Sequence, residues 1–99
     1  MGALVFEWDE AKNRANRKKH GVSFDEARTA FLDENARLGA DPDHSEDESR
    51  FILLGLSIRL RLRLLVICHC YRQPSDAIRI ISARRADPSE QRDYARYLK

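Results

Sequence analysis

Between Arg50 and Ala83 the chain reads as three strand-like segments joined by short turns, and that run commits it to a sheet. Arg50–Leu56 is apolar and β-prone, a hairpin turn is expected near residues 57–59, and residues 60–71 form a long strand. Along this strand Leu60, Leu62, Leu64, Val66, Cys68 and Cys70 share one face, expected to be core throughout. The opposite face carries Arg59, Arg61, Arg63, Leu65, Ile67, His69 and Tyr71, and so changes from basic to apolar along its length. Gln73-Pro74-Ser75-Asp76 makes a turn, and residues 77–83, rich in β-branched side chains, form a central strand. Consecutive hairpins of this kind pair antiparallel.

Helical signals flank the strands. Residues 3–8 are a short edge strand, after which Asp9 sits at an N-cap position. Residues 9–19 then read as a helix closed by His20-Gly21, with glycine suited to the left-handed position that follows a helix. Its only apolar residues are Ala11 and Ala15, so it is expected at the periphery. Ser23-Phe24-Asp25-Glu26 is a capping box, and Phe24, Ala27, Phe31 and Leu32 form the inward face of the second helix. Residues 37–40 suggest a short strand before an acidic loop, 41–49. Asp87-Pro88-Ser89-Glu90 opens a last helix with Gln91, Tyr94, Ala95 and Leu98 facing inward. The order is β-α-α-β-β-β-β-α. The expected fold class is α+β: a small antiparallel sheet carrying two N-terminal helices and one C-terminal helix, in a single domain spanning residues 1–99.

Charge is segregated along this chain. From Asp33 to Glu48 seven acids face Arg37 alone, a net −6, so the remainder carries +8 of the overall +2. From Arg59 to Arg85 seven arginines face only Asp76. A basic surface of this kind has phosphate as its usual partner. Cys68 and Cys70 lie on one strand face, too far apart for a bridge, and are expected as thiols in a reducing compartment. No apolar run approaches membrane-spanning length and no secretion signal is visible, so a cytoplasmic location without membrane contact is expected. Alternation sets His69 opposite the two thiols, and the acidic loop lacks the glycine and spacing of a calcium site. No metal or other cofactor is expected. Neither a nucleophile elbow nor a glycine-rich phosphate loop is present.

General acid–base chemistry with cationic stabilisation remains. RNA can be cut without a metal when its own 2′-hydroxyl attacks the adjacent phosphorus. The protein must then take that proton, stabilise the phosphate oxygens and protonate the leaving oxygen. Arginine serves the phosphate through its bidentate fork, and a lysine, histidine, glutamate or tyrosine serves the proton. Lys18, Lys19 and His20 end a helix, where cations also favour the helix dipole. Glu26 already has a capping role, Arg50 begins a strand after the acidic loop, and Arg84 and Arg85 end the central strand. Tyr94 and His69 read more simply as core residues. Lys18, His20, Arg63, Arg79 and Arg85 are the expected RNA contacts.

Three stretches carry a resemblance: Phe6-Glu7-Trp8-Asp9-Glu10, Lys19-His20-Gly21-Val22-Ser23-Phe24 with Glu26-Ala27, and Ile78-Arg79-Ile80-Ile81-Ser82-Ala83-Arg84 with Glu90 and Tyr94. In this order they resemble the BrnT family, toxins of type II toxin–antitoxin pairs with a RelE-like fold. The resemblance implies a metal-independent endoribonuclease that inhibits translation and is neutralised by a cognate BrnA-like antitoxin. It implies operator DNA binding only for the toxin–antitoxin complex. Carried onto this chain, it implies a catalytic set of Lys19, Glu26, Arg50 and Arg84, with Lys19 or Glu26 handling the proton and the arginines the phosphate. The segment from Ser57 to Arg63 departs from the short turn such a family leads one to expect. It extends the hairpin, shifts the register or adds an RNA contact. A non-catalytic nucleic-acid- or partner-binding module is the competing expectation.

Overall fold

A computed structural model describes residues 4–42, 50–58, 62–72 and 75–98. The acidic stretch 43–49, the residues Arg59, Leu60 and Arg61, and Gln73 and Pro74 of the expected turn lie outside the described residues. The elements are β1 (Phe6–Glu7), α1 (Glu10–His20), α2 (Phe24–Thr29), a 3-10 turn (Ala30–Leu32), β2 (Arg37–Ala40), β3 (Arg50–Leu56), β4 (Leu64–Arg72), β5 (Ala77–Arg85) and α3 (Pro88–Arg96). They form an α+β fold with the expected order. One sheet runs β1-β5-β4-β3-β2. Three of its pairings are antiparallel; β1 joins β5 in parallel, which makes the sheet mixed rather than wholly antiparallel. β4 starts at Leu64: of the earlier residues of the expected strand, Leu62 and Arg63 are not in a strand, residues 60 and 61 lie outside the described residues, and the Ser57 amide donates to Arg63 O at 2.8 Å.

The helix ends follow their local chemistry. Asp9 accepts from the amides of Ala11 and Lys12, and Gly21 leaves α1 at φ 71°. Ser23 Oγ accepts from the Glu26 amide, but the Glu26 carboxylate, expected to return the bond in a capping box, binds Arg63 instead; Asp87 and Glu90 complete a reciprocal box at the start of α3.

Several positions differ from expectation. The helix-covered core consists of Val22, Phe24, Ala27, Ala30, Leu53, Leu65, Ile67, Ile80 and Ala83. It therefore lies on the β4 face that carries Leu65, Ile67 and His69, not on the face of Val66 and Cys68. Val66 and Cys68 are nevertheless buried, on the other side of the sheet. Leu32 and Leu98, expected inward, are exposed because α2 gives way to a 3-10 turn and α3 stops before residue 98. Asp41, expected in a solvated loop, is buried and accepts from Cys68 Sγ at 3.5 Å. Burial, reinforced by that carboxylate, pushes the Cys68 thiol up to about 11.

Helix α1 docks through amides rather than apolar side chains. Asn16 is buried; its Nδ2 donates to Val22 O and Ala83 O, both at 2.8 Å, and its Oδ1 accepts from the Ala83 amide at 3.1 Å. Asn13, one turn earlier, accepts from the Phe24 amide at 2.9 Å and donates to Glu10. Each asparagine satisfies backbone groups that would otherwise be buried unpaired. Asn16→Ala strands three such groups, and urea unfolding is expected to show a loss of at least about 2 kcal/mol.

His69 lies fully buried among Phe31, Phe51 and Tyr71. Its Nδ1 is 3.3 Å from Ile67 O, and its Nε2 has no partner among the described residues. Burial holds this imidazole below its ordinary 6.5, outweighing the Ile67 bond. The unfolded chain therefore takes up the proton first, and stability falls as the pH drops below about 6.5. His69→Phe, which keeps the aromatic packing, is expected to flatten the dependence of unfolding free energy on pH between about 5 and 6.5.

Candidate nucleic-acid cleft

The basic residues of α1 are not scattered evenly. Arg14, Arg17, Lys18 and Gly21 follow helical spacing and fall on one side, next to the buried stripe of Asn13 and Asn16. With the two asparagines fixed against α2 and β5, this basic side faces outward along the α1–α2 junction. A cleft of about 540 Å3 opens there, lined by Arg14, Arg17, Lys18, Gly21, Ser23 and Glu26.

Glu26 comes from the first turn of α2 and is half-buried. Its carboxylate takes both Nε, at 2.9 Å, and Nη2 of Arg63, a bidentate ion pair. Ser57 Oγ donates to the same carboxylate at 2.9 Å and accepts from the Arg63 amide at 3.3 Å. Arg63 Nη2 also donates to Gly21 O at 3.0 Å, so one guanidinium ties the turn before β4 to the end of α1. The Glu26 hydrogen bonds, against the opposing effect of burial, raise the Arg63 pKa and keep the guanidinium charged.

Of the residues singled out in the sequence, Lys18, Glu26 and Arg63 come together here. Lys19 is exposed and His20 half-buried in the last turn of α1, but neither lines the cleft. Arg50 stands opposite Cys70, and Arg84 opposite Val66, on the sheet face away from α1 and α2. Four residues of β4 and two strand spacings separate them, roughly 16 Å of backbone. Neither lines the cleft. Arg84 instead grips Glu90 through two bonds of 2.8 Å, and these donors hold the Glu90 carboxyl below its usual range. Arg79 pairs with Glu7 at 2.9 Å near the β1 edge. Arg85 lies on the helix-bearing face beyond Leu65.

Tyr94 ties α3 to the end of the 3-10 turn. Its hydroxyl donates to Asp33 Oδ2 at 2.5 Å, and burial together with that carboxylate pushes the phenol up to about 12. Burial works against the Asp33 carboxylate, yet donors from Tyr94, Leu56 and Asn35 hold its pKa below the ordinary value. The sequence reading missed Arg14 and Arg17, although the 14–17–18–21 spacing was there to be read. It also missed Ser57, whose role depends on a turn that brings it to Glu26 from 31 residues away.

The Glu26–Arg63 pair should be strongly coupled, because both side chains are largely shielded from water. A double-mutant cycle with Glu26→Gln and Arg63→Met, read by chemical denaturation, is expected to give a coupling energy of about 1–3 kcal/mol.

A family model described as "Ribonuclease toxin, BrnT, of type II toxin-antitoxin system" matches residues 8–90. No curated protein matches the chain.

Proposed function

The chain belongs to the BrnT family of ribonuclease toxins of type II toxin–antitoxin systems, and from that membership we propose that it cuts RNA in the cleft between α1 and α2 without a metal ion. RNA substrate and antitoxin partner go with the family. One observation carries the finer reading: three cations, Arg14, Arg17 and Lys18, converge with the Glu26 carboxylate on a single cleft.

In this reading the guanidinium groups hold the phosphate oxygens and stabilise the charge that develops on them. Glu26 takes the proton of the 2′-hydroxyl as its oxygen attacks phosphorus. The bond from phosphorus to the 5′-oxygen breaks, and Lys18, the ammonium of the cleft lining, returns a proton to that oxygen. Because both Glu26 oxygens already accept hydrogen bonds, Arg63 must exchange the carboxylate for a phosphate oxygen as substrate enters. This reading leaves Arg50 and Arg84, on the other sheet face, outside the cleft. Cleavage of messenger RNA in the cytoplasm would then inhibit translation. A BrnA-like antitoxin would neutralise the toxin by covering this basic surface, and operator DNA would be bound by the complex alone.

A binding-only module is the second reading, favoured by the engagement of Glu26 with Arg63 and Ser57. The two readings part on cleavage. Purified protein is expected to cut single-stranded RNA to 2′,3′-cyclic phosphate and 5′-hydroxyl ends in the presence of EDTA. Glu26→Gln is expected to lower kcat by about 10²–10⁴. Expression without antitoxin should arrest growth. Loss of cutting on chelation would overturn the metal-free chemistry, and salt-dependent binding without any cutting would leave the second reading standing.

A further inference from the structure

The Glu26–Arg63 pair sits at a divide between two clefts. Glu26 lines the one already described, while Arg63 lines a second of about 370 Å3, together with Leu62, Arg85, Gln91 and Tyr94 among others. The guanidinium that reaches Gly21 O on the rim of the first cleft is thus carried on a residue in the wall of the second. The contacts of Arg63 with Glu26 and Gly21 O place the clefts side by side. Arg85 stands opposite Leu65, two residues after Arg63, and both arginines line the second cleft. Arg14, Arg17 and Lys18 on one side and Arg85 on the other are exposed, and they form no ion pair among the described residues. Leu62, beside Arg63 in the second cleft, is 70% exposed and offers an apolar surface next to the cations.

Resting on the RNA-binding reading above, we infer that the two clefts form one track for an extended single strand of RNA. The strand crosses the Glu26–Arg63 pair with phosphates on both sides of it: Arg14, Arg17 and Lys18 hold the first group, Arg85 the second, and Leu62 packs against a base. A single strand fits this surface better than a duplex, since it can bend over a wall between two hollows and splay its bases, whereas an A-form helix presents a stiff cylinder. In-line attack by a 2′-hydroxyl also requires a sugar released from helical geometry. An acidic protein segment offers the same charge, but its carboxylates gain nothing from the exposed leucine beside Arg63.

The test uses 2′-O-methyl RNA, which keeps every phosphate and lacks the attacking hydroxyl. A dodecamer and a trinucleotide are titrated by fluorescence anisotropy over a salt series with the wild type, Arg17→Ala, Arg85→Ala and the double variant. For single strands each lost phosphate contact lowers the slope of log K against log salt by about 0.7. On the dodecamer each single variant is expected to lose about 0.7 and the double variant about 1.4. On the trinucleotide, too short to occupy both clefts, no more than one of the two contacts is made at a time, so the double variant should lose no more than about 0.7 of the slope. An unchanged slope for Arg85→Ala, with a reduced one for Arg17→Ala, overturns the track while leaving RNA binding in the first cleft intact. No salt-dependent binding by the wild type overturns both. Displacement of the dodecamer by polyglutamate at equal charge concentration would mark the track as a protein-docking groove and also overturn it.

Discussion

Asn16 is the residue on which the geometry of the cleft depends. A helix with almost no apolar side chains cannot be held by hydrophobic burial, which otherwise dominates the docking of a surface helix. The amide of Asn16 substitutes for it, with one end on Val22 O and Ala83 O and the other on the Ala83 amide. Such bonds are directional where hydrophobic contact is not, so they fix the rotation of α1 about its own axis as well as its position. Rotation is what matters to the site. Arg14, Arg17 and Lys18 point into the cleft only because Asn13 and Asn16 point into the protein.

This explains how a helix carrying so much positive charge stays docked. Its cations occupy the outer surface, where water screens their mutual repulsion, while its buried stripe contains neutral amides. Glu10 eases the start of the helix by accepting from Asn13 and Trp8, and those donors hold its carboxyl below the ordinary value. The bond from Trp8 also links the helix start to an indole packed against the core.

Much of the fold was legible because its signals are local. N-caps at Asp9, Ser23 and Asp87 and the left-handed Gly21 depend on neighbours a few residues away, and the sequence shows them. The order of elements followed from the same punctuation. The choice of core face on β4 was not legible, since alternation tells which residues share a face but not which face the helices cover. Arginine at residues 59, 61 and 63 made the face of Leu65 and Ile67 look mixed, although that face carries the main core. The parallel pairing of β1 escaped for a related reason: two residues hold no periodicity, and their partner lies at the far end of the chain. Within the site, Lys18, Glu26 and Arg63 were named singly, but nothing in their spacing announced that a turn would join them.

The Glu26–Arg63 pair remains to be explained in energetic terms. Drawing a carboxylate and a guanidinium out of water costs about as much as their attraction returns, and apolar residues of similar size often serve stability better. Ser57 and Gly21 O add hydrogen bonds that reduce the deficit without making the pair a natural choice for a core. Stability alone therefore gives no reason for a charge pair at this position. A reason appears if the guanidinium is kept charged and oriented, so that an incoming phosphate can take the place of the carboxylate. Bidentate exchange of this sort preserves the number of charge-assisted bonds to Arg63 while it releases the Glu26 carboxylate from the guanidinium. The same residue pair would then serve binding and proton transfer in turn, with Ser57 keeping the carboxylate in place after Arg63 has let go.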